Sequence, residues 1–105
     1  AVMILRLVGL PVDLERVAEL ERAFAIAQPR IVALPGCHQV SLLRTGDDGA
    51  ADFVTLSVWD GRADLEAYRR GALFEEIWPA IRATLRDKPW AKTYDYVAGD
   101  VPEAG

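Results

Sequence analysis

Two hydrophobic periods run along this chain, and the switches between them mark its elements. Residues 3–10, MILRLVGL, are rich in branched apolar side chains and stop at Pro11, which predicts a first strand. Asp13 then offers a carboxylate to free backbone N–H groups, and Val12 and Val17 flank it as a hydrophobic staple. Val17, Leu20, Phe24, Ala27 and Ile31 recur at helical spacing and predict one buried stripe. Pro29 is expected to break or kink this helix, leaving a last turn that ends at Pro35-Gly36. Residues 37–45 and 52–59, CHQVSLLRT and DFVTLSVW, read as two strands joined by a reversal around Gly46-Asp47-Asp48-Gly49, because Gly and Asp tolerate turn geometry. Two adjacent aspartates in so short a frame are a solvated turn rather than a calcium loop, which needs more oxygen ligands.

The period returns to helical over residues 62–87. Gly71 divides this region, and Phe74, Ile77, Trp78, Ile81 and Leu85 share one face of its second piece. Pro79 falls inside that pattern, so a kink or restart is expected near Trp78. Pro89 ends the region, residues 90–97, WAKTYDYV, predict a last strand, and residues 98–105 a loose tail. The order β-α-β-β-α-β predicts a ferredoxin-like α+β fold with both helices on one face of a four-stranded antiparallel sheet. The other face should then be polar, and it is not. Val54, Leu56 and Val58 point away from Phe53, Thr55, Ser57 and Trp59; Gln39, Ser41 and Leu43 oppose Val40 and Leu42; the first strand is apolar on both faces except at Arg6. A half-covered sheet with two apolar faces predicts a second layer, most simply another copy packed face to face as a homodimer.

Composition narrows the class. With 105 residues, about half of them apolar, the chain is one domain (residues 1–105, core about 3–97) with a real core. A net charge of −4, with basic residues dispersed among acids, argues against a nucleic-acid partner. One cysteine, Cys37, allows no intrachain disulfide and no thiolate cluster. No apolar run approaches a membrane span, and the start lacks a signal-peptide layout, so no membrane partner and a cytoplasmic location are expected. A serine-hydrolase elbow, a zinc site of ordinary composition and a phosphate-binding loop are all missing.

Three features then carry a resemblance. LPGC at residues 34–37 leads into the hairpin, and LSVWDGRADLEAYRRGALFEEIW at residues 56–78 closes the third strand with Trp59 and follows it with Asp60, Tyr68 and the segment 71–74. With the topology, these make the chain similar to the antibiotic biosynthesis monooxygenase family of dimeric α+β barrels, from residue 3 to about 97. The resemblance implies a homodimer and a cofactor-independent monooxygenase of a small hydrophobic aromatic, phenol- or anthrone-like. The alternatives are a non-catalytic binding or interaction module of the same fold, or an isomerase using the same pocket. Oxygenases of the family carry an asparagine beside their Trp and Tyr groups; this chain contains none, and Leu7, Val8 and Gly9 stand in that neighbourhood. Haem-degrading members ligate iron through a histidine at the position of Trp78, so no cofactor, haem included, is expected.

The residues expected to carry chemistry follow. His38, the only imidazole, is the natural general base. Tyr68 could relay a proton, and Trp59 would wall the catalytic pocket unless it is simply a core residue at the strand-to-helix joint. Thr55 and Ser57 share the face of Trp59, and with Trp78 and Tyr94 they would contact substrate. Cys37 reads as a small buried residue rather than a nucleophile.

Overall fold

A computed structural model describes residues 2–45 and 52–101. Strand β1 (Ile4–Pro11) leads through a 3-10 turn (Leu14–Arg16) into helix α1 (Val17–Val32). Strands β2 (Cys37–Arg44) and β3 (Asp52–Trp59) follow, then helices α2 (Arg62–Arg69) and α3 (Ala72–Arg82), then strand β4 (Trp90–Asp95). The sheet runs β2-β3-β1-β4 with every neighbouring pair antiparallel, which is the ferredoxin-like order the sequence predicts. The Gly46-Asp47-Asp48-Gly49 reversal lies outside the described residues.

Both interior prolines sit within continuous helices, so neither Pro29 nor Pro79 ends its helix. Each removes one hydrogen bond to the carbonyl four residues earlier, at Ala25 and at Glu75. Those two residues are exposed, so water can satisfy the freed carbonyls, while Ala27, Ile31, Ile77 and Ile81 bury the opposite faces. Asp13 caps the 3-10 turn rather than α1 itself, accepting from the Glu15 amide at 3.0 Å.

The helical region stops at Arg82, five residues before the expected end, because the chain beyond it is claimed by β1. The Asp13 amide donates to the Thr84 carbonyl (2.7 Å), the Arg86 amide to the Pro11 carbonyl (2.9 Å), and Val12 pairs with Leu85. The Arg86 side chain adds bonds to the Val12 carbonyl and to Asp52, both at 2.7 Å.

The core fills the space between the helices and one sheet face in two clusters. Ile4, Ala27, Ile31, Val40, Trp59, Leu65 and Ile77 form the first; Leu10, Val12, Leu20, Phe53 and Ile81 form the second. Along the inner face of β1, Ile4 belongs to one cluster and Leu10 to the other, which leaves Arg6 and Val8 between them. The outer face carries Leu5, Leu7, Val54 and Leu56, partly buried, with Leu43, Trp90 and Tyr94 about half exposed. Trp90 faces Gly9 across the β1–β4 ladder, and its indole lies where a side chain at position 9 would begin: a Cβ there would meet Trp90 Cε2 and Nε1 at 2.0 Å.

Candidate functional site

Between the two core clusters lies a cavity of about 210 Å³, walled by the inner face of the sheet and by all three helices. Alternation sends Arg6, Val8 and Leu10 of β1 and Thr55, Ser57 and Trp59 of β3 to the same side. Phe24, Ala27 and Ile31 of α1, Leu65, Tyr68 and Arg69 of α2, and Phe74, Trp78 and Ile81 of α3 face them, and Val40 and residues 89–91 add to the wall. Apolar and aromatic surface dominates, with a few polar groups converging on it, which is the usual character of small-molecule sites.

Four rings form a continuous array along that wall. Trp59 stacks on Tyr68 (centroids 5.4 Å apart, planes 23° apart), Tyr68 meets Phe74 edge to face (5.3 Å, 88°), and Phe74 stacks on Trp78 (5.9 Å, 12°). Trp59 is first of all a core residue. It has no exposed surface and anchors the core, its Nε1–H donates to Ser57 Oγ at 2.9 Å, and it also borders the cavity.

Thr55, Ser57, Trp59, Tyr68 and Trp78 thus meet at one cavity, while two of the expected residues lie elsewhere. Tyr94 pairs with Leu5 and points from the opposite face of the sheet. His38 does not line the cavity. A β-bulge between Cys37 and Gln39 leaves it without a ladder partner, so it does not share the inward face of Val40 and Leu42. Its Nε2 lies 2.5 Å from Asp60 Oδ1, and both side chains are well exposed, so it has the carboxylate partner that the sequence did not reveal.

Arg6, Arg69, Phe24 and Phe74 are cavity residues that the search for chemistry in the sequence passed over. Arg6 carried a signal, being the one charge in an otherwise apolar strand. Its Nη1 donates to Thr93 Oγ1 of β4 at 2.9 Å, and it forms no ion pair among the described residues. Burial and then neighbouring Arg69 pull its pKa down, while Glu66 pushes it up. Arg69 is bound to Glu66 at 2.9 Å, and Glu66 also faces Arg70.

Burial pushes the Tyr68 phenol up to about 12, with the nearby Cys37 thiol adding to the shift, so Tyr68 keeps its proton at neutral pH and does not serve as a base there. The Cys37 thiol is pushed to about 11, chiefly by burial, against a smaller opposing effect of hydrogen bonding with the Gln39 backbone. Both values lie above those of the unfolded chain, near 9.0 for Cys37 and 10.0 for Tyr68. The unfolded chain therefore releases these protons first as pH rises, and stability falls from about pH 9 towards 12 with no contribution below that window. Denaturant titrations across the alkaline range should show this loss. Cys37→Ala should flatten its lower part and Tyr68→Phe its upper part; a wild-type profile that stays level to pH 12 would contradict the burial of both groups.

Among the described residues no group of three or more His, Cys, Asp or Glu could hold a metal, and no helix is long and apolar enough to cross a membrane. A family model described as antibiotic biosynthesis monooxygenase matches residues 3–80. Solved structures similar to the chain include SnoaB, a cofactor-independent oxygenase from Streptomyces nogalater, in a mutant form (TM-score 0.81, 21% identity, 98% of this chain and 100% of that one covered). A candidate antibiotic biosynthesis monooxygenase of Caulobacter crescentus CB15 superimposes with a TM-score of 0.83 at 22% identity, covering 92% of each chain. A conserved protein of Methanosarcina mazei Go1 reaches 0.83 at 18% identity, covering 89% of this chain and 91% of that one. No curated protein sequence matches.

Proposed function

The chain belongs to the antibiotic biosynthesis monooxygenase family, and from that premise we propose that it is a cofactor-independent monooxygenase of a small, planar, phenol-like aromatic. The observation that carries the proposal is the cavity beside Trp59, with its aromatic wall and its few polar groups. SnoaB, with the same fold, is a cofactor-independent oxygenase, and that supports a reaction in which the substrate itself supplies the electrons. For a phenol with a free para position the balance is phenol plus O₂ giving para-quinone plus water. One oxygen atom enters the ring, the other leaves as water, and all four electrons come from the substrate.

Each lining group has a part consistent with its state. The apolar wall excludes water and holds the ring, Thr55 orients its oxygen substituent, and Tyr68, protonated throughout the neutral range, donates a hydrogen bond or a proton to reduced oxygen. His38, outside the cavity, is not assigned the role of base. The enzyme is proposed to act as a cytoplasmic homodimer joined through the outer faces of its two sheets.

Oxygen uptake tests the reading directly. Purified protein mixed with one- and two-ring phenols should consume one O₂ per substrate lost, without added flavin or metal and after dialysis against a chelator. Turnover that continues anaerobically would exclude an oxygenase and favour an isomerase. A second reading is a ligand-binding module that performs no reaction. It is favoured by the make-up of the wall, which among the described residues includes no carboxylate and no imidazole to take a proton from a substrate. Binding of aromatics with no uptake under any condition would establish it.

A further inference from the structure

Arg6 is an expensive residue in this place. A partly buried guanidinium on the inner face of β1, between two apolar clusters, gives up part of its hydration, which a bond to the neutral hydroxyl Thr93 Oγ1 replaces only in part. Arg6 and Arg69 both line the cavity, and Glu66, the acid that acts on Arg6, already faces Arg69 and Arg70. Arg6 and Arg69 are the charged residues of a wall that is otherwise mostly apolar, and of the two only Arg69 has an ion-pair partner among the described residues. Such a wall strengthens whatever electrostatic interaction it encloses.

We propose that the cavity selects an anion: a one- or two-ring aromatic whose carboxylate or ionised hydroxyl is held by Arg6, with Arg69 reinforcing the field. Size and charge point to the same class. An apolar cavity of ~150 Å³ accommodates a single benzene ring, so about 210 Å³ has room for a substituted ring or a fused pair but is tight for three fused rings. The planar guanidinium also matches a flat oxyanion in geometry, as an ammonium would not.

This inference rests on the proposed reading of the cavity as the substrate site and adds to it. A pocket that stabilises the phenolate needs no strong base, because the proton leaves to water as the anion is bound. The absence of His38 from the wall then presents no obstacle to oxidation. Burial lowers the pKa of Arg6, and an oxyanion beside it would relieve that penalty.

Binding measurements without oxygen separate the inference from the oxygenase proposal. The probes are 2-naphthoate, 2-naphthol and the neutral 2-naphthalenemethanol, titrated by calorimetry against the intact protein. Naphthoate should bind about tenfold or more tightly than the alcohol, the size of one charge-assisted bond in a partly desolvated site. Bound 2-naphthol should show the ultraviolet absorbance of naphtholate at a pH where the free compound is protonated. In Arg6→Met both signatures should vanish while the alcohol's affinity stays within about twofold; Arg6→Lys should restore part of the preference. Thr93→Val is the control for lost packing, since it removes the β1–β4 hydrogen bond but keeps the guanidinium, and it should retain the selectivity. Equal affinities for naphthoate and the alcohol, an unchanged preference in Arg6→Met, or no binding of any probe at millimolar concentration would overturn the proposal. If the anion preference holds and oxygen uptake fails, only the oxygenase reading falls; uptake without any preference has the reverse meaning.

Discussion

Trp59→Ala should lower the free energy of unfolding by about 3–5 kcal/mol, the largest single effect expected in the molecule. The indole is the largest side chain without exposed surface, and it closes the joint between β3 and α2. Its removal withdraws the stacking partner of Tyr68, leaves Ser57 Oγ without its donor, and opens a void that merges with the existing cavity. Neighbours cannot collapse into that void easily, because Ile4 and Val40 beside it are fixed by the sheet. Trp59→Phe keeps a ring against Tyr68 and should cost less than half as much. Denaturant unfolding monitored by far-ultraviolet circular dichroism measures both, and an alanine variant within about 1 kcal/mol of wild type would show that the joint is held by something else.

The second large effect belongs to the outer face of the sheet. Wild-type protein should sediment as a dimer at micromolar concentration, and Leu56→Glu should turn it into a folded monomer. Leu56 lies in a central strand, paired with Leu7 on one side and Ser41 on the other, and Val54, Leu5 and Leu43 surround it on the same face. A face-to-face contact between two copies would desolvate one introduced carboxylate from each. The penalty, about 3 kcal/mol or more, corresponds to more than a hundredfold in dissociation constant. In a monomer the same glutamate meets water, so circular dichroism should be almost unchanged. Wild-type sedimentation as a monomer would refute the dimer outright.

The fold was legible in the sequence because each of its determinants is local. Period-two runs, the Asp13 cap and Gly71 mark the elements within a few residues of their true ends. The errors come from contacts distant in sequence. Pro29 and Pro79 end helices by local rules, yet both helices continue past them, since the lost bonds fall at exposed Ala25 and Glu75. The end of α3 is set by β1, more than 70 residues earlier, through hydrogen bonds such as that between Arg86 and the Val12 carbonyl.

The site was legible where alternation alone decides it. Thr55, Ser57 and Trp59 reach the cavity because they share a strand face. His38 was misplaced because one bulged residue resets the parity of a strand start, and residue types carry almost no signal for a bulge of this kind. Arg6 was visible as an exception in β1, but its meaning depends on Thr93 and Arg69, which only the folded sheet and helix α2 bring near it.

The contact between Gly9 and Trp90 has a consequence for how the chain can vary. Position 9 is the only place on the outer face of β1 without a side chain, so it is the only berth where that indole can lie flat across the strand. A slip of β4 by two residues would carry the indole onto Leu7, and a slip by one would turn it to the other side of the sheet. The pair therefore works as a key and a notch that admit one alignment of the edge strand. It also sets Ala91 and Thr93 on the cavity side, and with Thr93 the hydrogen bond that steadies Arg6. The two positions should drift together over evolutionary time: a chain that gains a side chain at 9 must give up the tryptophan at 90.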